Sequence, residues 1–303
     1  MEVICSPRRI QTLALKWKAR GRRIAFVPTM GFLHEGHLSL LRAARAAADV
    51  VVVSIFVNPA QFGPKEDFNK YPRDLEGDLV LCRKEKVDVV FAPARKDIYP
   101  PGFSTYVEEN DLSRDLCGAA RLGHFRGVAT VVAKLFNLVQ PDLAFFGAKD
   151  FQQSRVVIRM VRDLNFPVKI EVMPTVREKD GLALSSRNRS LKGEARRQAR
   201  CLYRSLVLAR KLVGEGKRLA GEIKTAMERV IKDQPLARID YIEIFDTETL
   251  RPQRRVNRRS VAALAVFVDK TRLIDNLSIW PGRLSLKPSP EGGGPSRPLR
   301  GGC

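Results

Sequence analysis

Histidine is scarce in this chain: three residues among 303. Cysteine is sparse as well. Cys5, Cys82, Cys117, Cys201 and Cys303 form no C-x-x-C pair, and their number is odd. That excludes a thiolate zinc framework and a disulfide scaffold, and it suits a reducing, cytoplasmic compartment. No apolar run approaches the roughly 18 residues of a membrane-spanning helix, so a membrane partner is not expected. The amino end, residues 1–23, lacks the apolar stretch and small-residue cleavage site of a secretory signal. It is basic and mildly amphipathic and is expected to be the first helix of the domain, with a transit peptide as the alternative. Aromatics make up only 7%. Among the basic stretches of the C-terminal third only Tyr203 is interleaved, too little for a set of base-stacking platforms.

Acidic residues are also in deficit, 33 against 54 Lys and Arg, for a net charge of +21. Such a balance invites a polyanionic partner. The basic residues are scattered through "RRQARCLYR", "RLAGEIKTAMERVIK" and "RPQRRVNRR" rather than gathered into one block. A solvated basic surface is therefore favoured over nucleic-acid binding, while a polyphosphate ligand stays open. The hydrophobic fraction of 44% and charged fraction of 29% fit a globular protein with a sizeable core.

The residues that are present alternate in period. "RIAFVPTM", "VVVVSIFV", "DVVFAP", "DLAFFG" and "PVKIEVMPTV" are short β-branched or aromatic runs of the kind buried on both faces of a parallel sheet. Between them, "EGHLSLLRAARAAADV", "LEGDLVLCRKEKV", "GVATVVAKLFNLVQP" and "DFQQSRVVIRMVRDLN" carry helical spacing. Repeated β–α units of this sort predict an α/β fold, a doubly wound, Rossmann-like parallel sheet over residues 1–174. From 175 to 281 the character changes. Two helices broken near Gly214 and Gly216, then strands "IDYIEIFDTETL" and "VAALAVFVDKTRLIDNLSI", predict a smaller α+β domain. Residues 282–303 are rich in Pro and Gly, with little to bury, and are expected to be a disordered tail.

Two of the three histidines lie in "VPTMGFLHEGHLSL". A strand, a glycine turn and then a helix place His34 and His37 three residues apart on one turn. Gly31 and Gly36 let the backbone approach a ligand, and a helix starting here aims free N–H groups and a positive dipole at it. The pair suits a phosphate site. It does not suit a zinc protease, whose histidines are four apart. The structural alternative is a histidine pair that only caps the helix. In "FFGAKDFQQ", Lys149 falls at the end of a predicted strand beside a helix start, a phosphate contact or an ordinary surface lysine. Gln152 and Gln153 bind a polar substrate or face solvent. In "LALSSRN", Ser185, Ser186 and Arg187 offer hydroxyl and guanidinium donors to an oligophosphate. Asn58 and Gln61, in "FVNPAQFGPKEDFNKYPRDLEGD", suit a hydroxyl- or carboxylate-bearing small molecule, or merely line a β–α loop.

Five segments in order, "PTMGFLHEGHLSL", "FVNPAQFGPKEDFNKYPRDLEGD", "GHFRGVATVVAKLFNLVQPD", "FFGAKDFQQ" and "VREKDGLALSSRNRSL", resemble the pantoate–β-alanine ligases (pantothenate synthetases). The likeness runs from about residue 1 to 281, and the broader group is the HxGH nucleotidyltransferases. The resemblance implies an AMP-forming ligase that condenses pantoate with β-alanine through pantoyl adenylate, releasing AMP and pyrophosphate, with Mg²⁺ accompanying the ATP. It implies catalytic roles for His37, His34 and Lys149. It implies ATP contacts at Met30, Gly31, Phe32, Leu33, His34, Glu35, Gly36 and His37, at Gly147, Ala148, Lys149 and Asp150, at Val176, and at Leu184, Ser185, Ser186 and Arg187. Gln61, Gln153 and Asn58 are implied for pantoate and β-alanine. No metal-ligating residue is assigned, no nucleic-acid partner is expected, and the family implies a cytoplasmic homodimer. Two residues depart from the family pattern: Ala148 stands where a longer polar residue is usual, and Leu122 where proline is usual. The competing readings are an HxGH nucleotidyltransferase that stops at the nucleotidyl product, and a basic RNA-binding protein of synthetase-like fold.

Overall fold

The computed structural model describes residues 1–281 apart from Lys65 and Asp67, so the expected tail lies outside the described residues. In chain order the first half runs β1 (Glu2–Ile4), α1 (Pro7–Ala19), β2 (Ile24–Thr29), α2 (Glu35–Ala47), β3 (Val50–Ile55), α3 (Leu75–Lys84) and β4 (Val89–Phe91). The short α4 (Arg95–Ile98) and α5 (Cys117–Ala120) precede α6 (His124–Val139), β5 (Leu143–Gly147), α7 (Phe151–Asp163) and β6 (Lys169–Met173). The second half holds α8 (Gly193–Gln198), α9 (Cys201–Gly214), α10 (Ala220–Lys232), β7 (Ala237–Asp246), β8 (Ser260–Val268) and β9 (Thr271–Ser278).

Six strands form one sheet in the order β1-β4-β3-β2-β5-β6, every neighbouring pair parallel. The α/β reading of the sequence holds, and its physical cause is visible in β2 and β3. Phe26, Val50 and Val52 face one apolar layer while Ala25, Val27, Val51 and Val53 face the other. Both faces are covered, so no polar alternation survives in these runs. Helices α1 and α6 cover the first face and α2 and α3 the second. Each fully buried side chain such as Phe26 or Phe91 contributes about 1.5–3 kcal/mol of transfer free energy.

The second sheet is an antiparallel meander, β7-β8-β9. Ile242, Ile244, Leu264 and Val266 face α8–α10. The opposite face, with Tyr241, Phe245, Val261, Ala263 and Ile274, packs on Leu112, Cys117, Phe125 and Phe151 of the first half. A shared apolar core therefore joins the two sheets.

Two details differ from the sequence reading. Residues 2–4 form an edge strand before the first helix, because they pair with β4 some 87 positions later. The stretch expected as two helices is three, α8 and α9 being separated at Ala199 and Arg200.

Candidate active site

The strand order reverses between β2 and β5. From β2 the chain steps outward to β3 and β4, then returns to place β5 on the other side. Crossovers leaving in opposite directions open a crevice beyond the carboxyl ends of these two strands, where ligands of such sheets bind. The ends are Thr29 and Gly147. One side therefore presents the histidine loop and the other the Gly147–Asp150 turn.

The histidine loop is held from outside itself. Gly31 has φ +80° and Phe32 φ +54°, so the chain turns through left-handed conformations. A Cβ on Gly31 would lie 2.9 Å from Asp78 Oδ2 and 3.0 Å from the Ile55 side chain. That carboxylate, from α3 and almost fully buried, accepts the Phe32 N–H at 2.8 Å and the Leu33 N–H at 2.7 Å. Burial raises the Asp78 pKa, while these two N–H bonds favour the charged form. Thr29 Oγ1 accepts the Gly31 N–H at 3.2 Å and donates to the Ser54 carbonyl at 2.7 Å.

His34 is the N-cap of α2, and the two imidazoles cap reciprocally. His34 Nδ1 accepts the Gly36 N–H at 3.1 Å, and His37 Nδ1 accepts the His34 N–H at 3.2 Å. The rings lie 4.1 Å apart. Burial, with the Lys149 ammonium adding to it, lowers His34 to about 4. Burial and His34 lower His37 to about 3. Both rings are neutral at pH 7. Since each Nδ1 accepts a backbone proton, each ring's own proton resides on Nε2. The structural alternative and the chemical one thus coincide: the capping bonds fix the tautomer and leave two neutral N–H donors.

Lys149 sits in the turn between β5 and α7, its ammonium 3.3 Å from Asp150 Oδ1. Burial opposes ionisation of Asp150, but Lys149 beside it holds the carboxyl below its ordinary value. The turn carbonyls of Ala148 and Lys149 both accept from Asn276 Nδ2, at 3.0 and 2.8 Å. In the linker, Leu184 N–H bonds the Val176 carbonyl at 3.0 Å. Ser185 caps the following turn by accepting the Arg187 N–H at 3.3 Å, and Ser186 Oγ meets Tyr71 Oη at 3.2 Å. Arg189 stacks over Phe32, 5.1 Å from its ring centre, tying this turn to the histidine loop.

Beyond β3, Asn58 is buried and fully used. It donates to Gln61 Oε1 and the Gly127 carbonyl at 3.0 Å each, and accepts from Ala60 N–H and Tyr99 Oη. Gln61 Nε2 reaches the Met30 sulfur at 3.3 Å. Gly127 permits this approach, since a Cβ there would lie 2.2 Å from the Ala60 carbonyl. The third histidine belongs to the same group. His124 Nδ1 donates to the Gln61 carbonyl at 2.8 Å, so its Nε2 accepts from Arg121 at 3.0 Å. Arg121 also donates to that carbonyl and is anchored by Glu66 at 2.6 and 2.8 Å. Burial and the Arg121 charge lower His124 to about 4.

One cavity runs along all of these segments. Met30, His34, Gly36, His37, Asn58, Gln61, Gly147, Lys149, Asp150, Gln153, Val176, Leu184, Ser185, Ser186 and Arg187 line it. Gly31, Phe32, Leu33, Glu35 and Ala148 do not. Leu33 is buried in the core under α2, Glu35 is exposed and pairs with Arg42, and Ala148 offers Asn276 its carbonyl. Gln152 is structural: it is buried and bonds the Cys117 N–H and the carbonyls of Leu112 and Asp115. Leu122 is 88% exposed, clear of the cavity. The sequence reading missed Asp78, Arg121, His124, Asn276 and Asn188. Asn188 also lines the cavity. It donates to Glu178 and the Ala183 carbonyl while its buried Oδ1 has no protein partner. Only His124 carried a signal, as the third of three histidines.

A family model described as pantoate-beta-alanine ligase matches residues 2–278. The pantothenate synthetases of Thermosipho melanesiensis and Moorella thermoacetica are each 55% identical to this chain. The first match covers 92% of this chain and 99% of that protein, the second 91% and 98%. The crystal structure of pantothenate synthetase from Thermus thermophilus matches with a TM-score of 0.88 at 46% identity, covering 93% of this chain and all of that one. A pantoate-beta-alanine ligase from Francisella tularensis, complexed with beta-gamma ATP and beta-alanine, matches with a TM-score of 0.78 at 34% identity, over 92% and 98% of the two chains.

Proposed function

This chain belongs to the pantoate–β-alanine ligase family, and from that membership we propose how its cavity joins the two substrates. ATP lies in the crevice between β2 and β5, its phosphates shared among the imidazoles, Lys149 and the Ser185–Arg187 turn. Val176 and Leu184 border the adenine. Pantoate lies against Gln61 and Gln153, with Asn58 holding Gln61 in place.

In the first half-reaction a pantoate carboxylate oxygen bonds to the α-phosphorus as the bond to the β-phosphate oxygen breaks. Negative charge builds on the non-bridging oxygens. Neutral Nε2–H donors and the Lys149 ammonium, fixed beforehand, stabilise that charge without reorganisation, each worth roughly 10²–10³ in rate. In the second, the β-alanine amine attacks the acyl carbon and AMP departs. Proximity inside a sheltered cavity supplies most of what this step needs.

Mg²⁺ fits the site as a companion of the triphosphate. No cluster of three ligating side chains exists among the described residues. Of the two carboxylates lining the cavity, Asp275 is held by two bonds from Arg177, whereas Asp150 has the longer 3.3 Å contact with Lys149 and is the one that could reach a cation. One carboxylate with phosphate oxygens and water is the usual coordination of this ion, whose charge would offset that of the phosphates. We further infer a division at 1–174 and 175–281, since each half has its own sheet and principal core, a cytoplasmic location and a homodimer. Among the described residues no helix is long and apolar enough to cross a membrane.

The observation that carries this reading is the convergence of three distant segments on one cavity whose two imidazoles have a fixed tautomer. An AMP-release assay with pantoate and β-alanine omitted in turn tests it. AMP should need both, ATP–pyrophosphate exchange should need pantoate alone, and His37→Ala should lower exchange about 10²-fold while the protein, though it loses one helix-capping bond, stays folded at the assay temperature. Exchange without pantoate, or near wild-type turnover in His37→Ala, would refute it.

A further inference from the structure

Alternate residues of β9 face the first half of the chain. Arg272 lies against Cys117, Ile274 packs in the shared core, and Asn276 reaches the turn after β5. Asn276 spends both amide protons on consecutive carbonyls, Ala148 at 3.0 Å and Lys149 at 2.8 Å. The amide cannot be reversed, because its oxygen would then face two acceptors. Its own backbone is equally committed. The Asn276 N–H donates to Asp275 Oδ1 at 2.7 Å, and its carbonyl accepts from Arg177 at 3.3 Å. Asp275, on the opposite face, binds Arg177 through two bonds of 2.6 and 2.9 Å. Arg177 follows Val176 and forms an isolated bridge with Ala183, next to Leu184. One dipeptide of the second sheet therefore grips both loops that border the proposed nucleotide site.

We propose that Asn276 is a positioning residue of the adenylating half-reaction. By holding the two turn carbonyls it fixes the peptide planes from which Lys149 projects, and so sets the lysine against the phosphates at the spacing that the Arg177 loop requires. The proposal rests on Lys149 contacting the phosphates. It assigns the second sheet a part in pantoate activation and none in the aminolysis that follows.

The test compares Asn276→Ala, Asn276→Ser and Asn276→Asp with Lys149→Ala and the double variant Lys149→Ala/Asn276→Ala. Asn276→Ala should slow pantoate-dependent ATP–pyrophosphate exchange on the order of 10–100-fold, the scale of a displacement near 1 Å. Asn276→Asp, which sets an acceptor against two carbonyls, should lose at least as much, and Asn276→Ser, keeping one short donor, should lose less. Single-turnover aminolysis of enzyme-bound pantoyl adenylate should stay within about 2-fold of wild type in Asn276→Ser and Asn276→Ala. The double variant should be no slower than Lys149→Ala, because one residue acts through the other. Equal losses in both half-reactions, additive losses in the double variant, or wild-type exchange in Asn276→Ala beside a crippled Lys149→Ala would overturn the proposal alone. Wild-type exchange in Lys149→Ala would remove the lysine's role and the proposal with it.

Discussion

Asp78 offers a sharp test of how the histidine loop is built. It accepts two backbone N–H groups, from Phe32 and Leu33, inside a space that leaves no room for a Cβ on Gly31. Asp78→Asn keeps the shape but replaces one acceptor by an NH₂ group. One buried N–H then loses its partner, and the new amide donor faces it. Each unsatisfied buried group costs about 1–3 kcal/mol, so the variant should lose roughly 2–5 kcal/mol. At about 2–4 °C per kcal/mol for a domain of this size, the melting temperature should fall by roughly 4–20 °C in differential scanning calorimetry. Below that melting point the loosened loop should raise the Michaelis constant for ATP in the exchange assay and leave that for pantoate nearly unchanged. A melting temperature within about 1 °C of wild type, together with unaltered exchange, would mean that the carboxylate is not what holds the loop.

Gln61→Ala should weaken pantoate far more than ATP, because the Gln61 amide, held by Asn58, suits a hydroxyl or carboxylate rather than a phosphate; equal rises in both Michaelis constants would contradict this. Acid should destabilise the fold through its histidines. His34, His37 and His124 have folded pKa values of about 4, about 3 and about 4, all below the ordinary 6.5. Between pH 6.5 and 4 the unfolded chain therefore binds protons that the folded chain does not, and stability falls as pH is lowered. His124, buried and shifted from 6.5 to about 4, accounts for about 3 kcal/mol of that loss. Urea unfolding across this window should show the decline, and His124→Gln should make it shallower; a slope unchanged by that substitution would refute the assignment.

The cavity takes up only a few of the cations behind the charge of +21, Lys149 and Arg187 among them. Several of its cations are spent on partners, as Arg42 is on Glu35 and Glu85, and Arg196 on Glu178 and Asp180.

The doubly wound sheet was legible because burial on both faces leaves a local mark, the unbroken apolar runs of β2 and β3. The imidazole pair was legible because an N-cap and the residue three positions on are neighbours along the chain whatever the rest of the fold does. The placing of Lys149 and Ser185–Arg187 in turns was readable for a similar reason, and the structure brings those turns to one cavity. What local pattern could not carry was any pairing between distant positions. Asp78 reaches Phe32 across 46 residues and Asn276 reaches Ala148 across 128, and neither belongs to a motif with chemistry of its own. The edge strand β1 and the break between α8 and α9 were hidden in the same way. Residue types and short spacings determined which groups could do chemistry. Tertiary packing alone decided which carboxylate and which amide hold them in register, because those bonds join segments that only the closed fold brings within hydrogen-bonding reach.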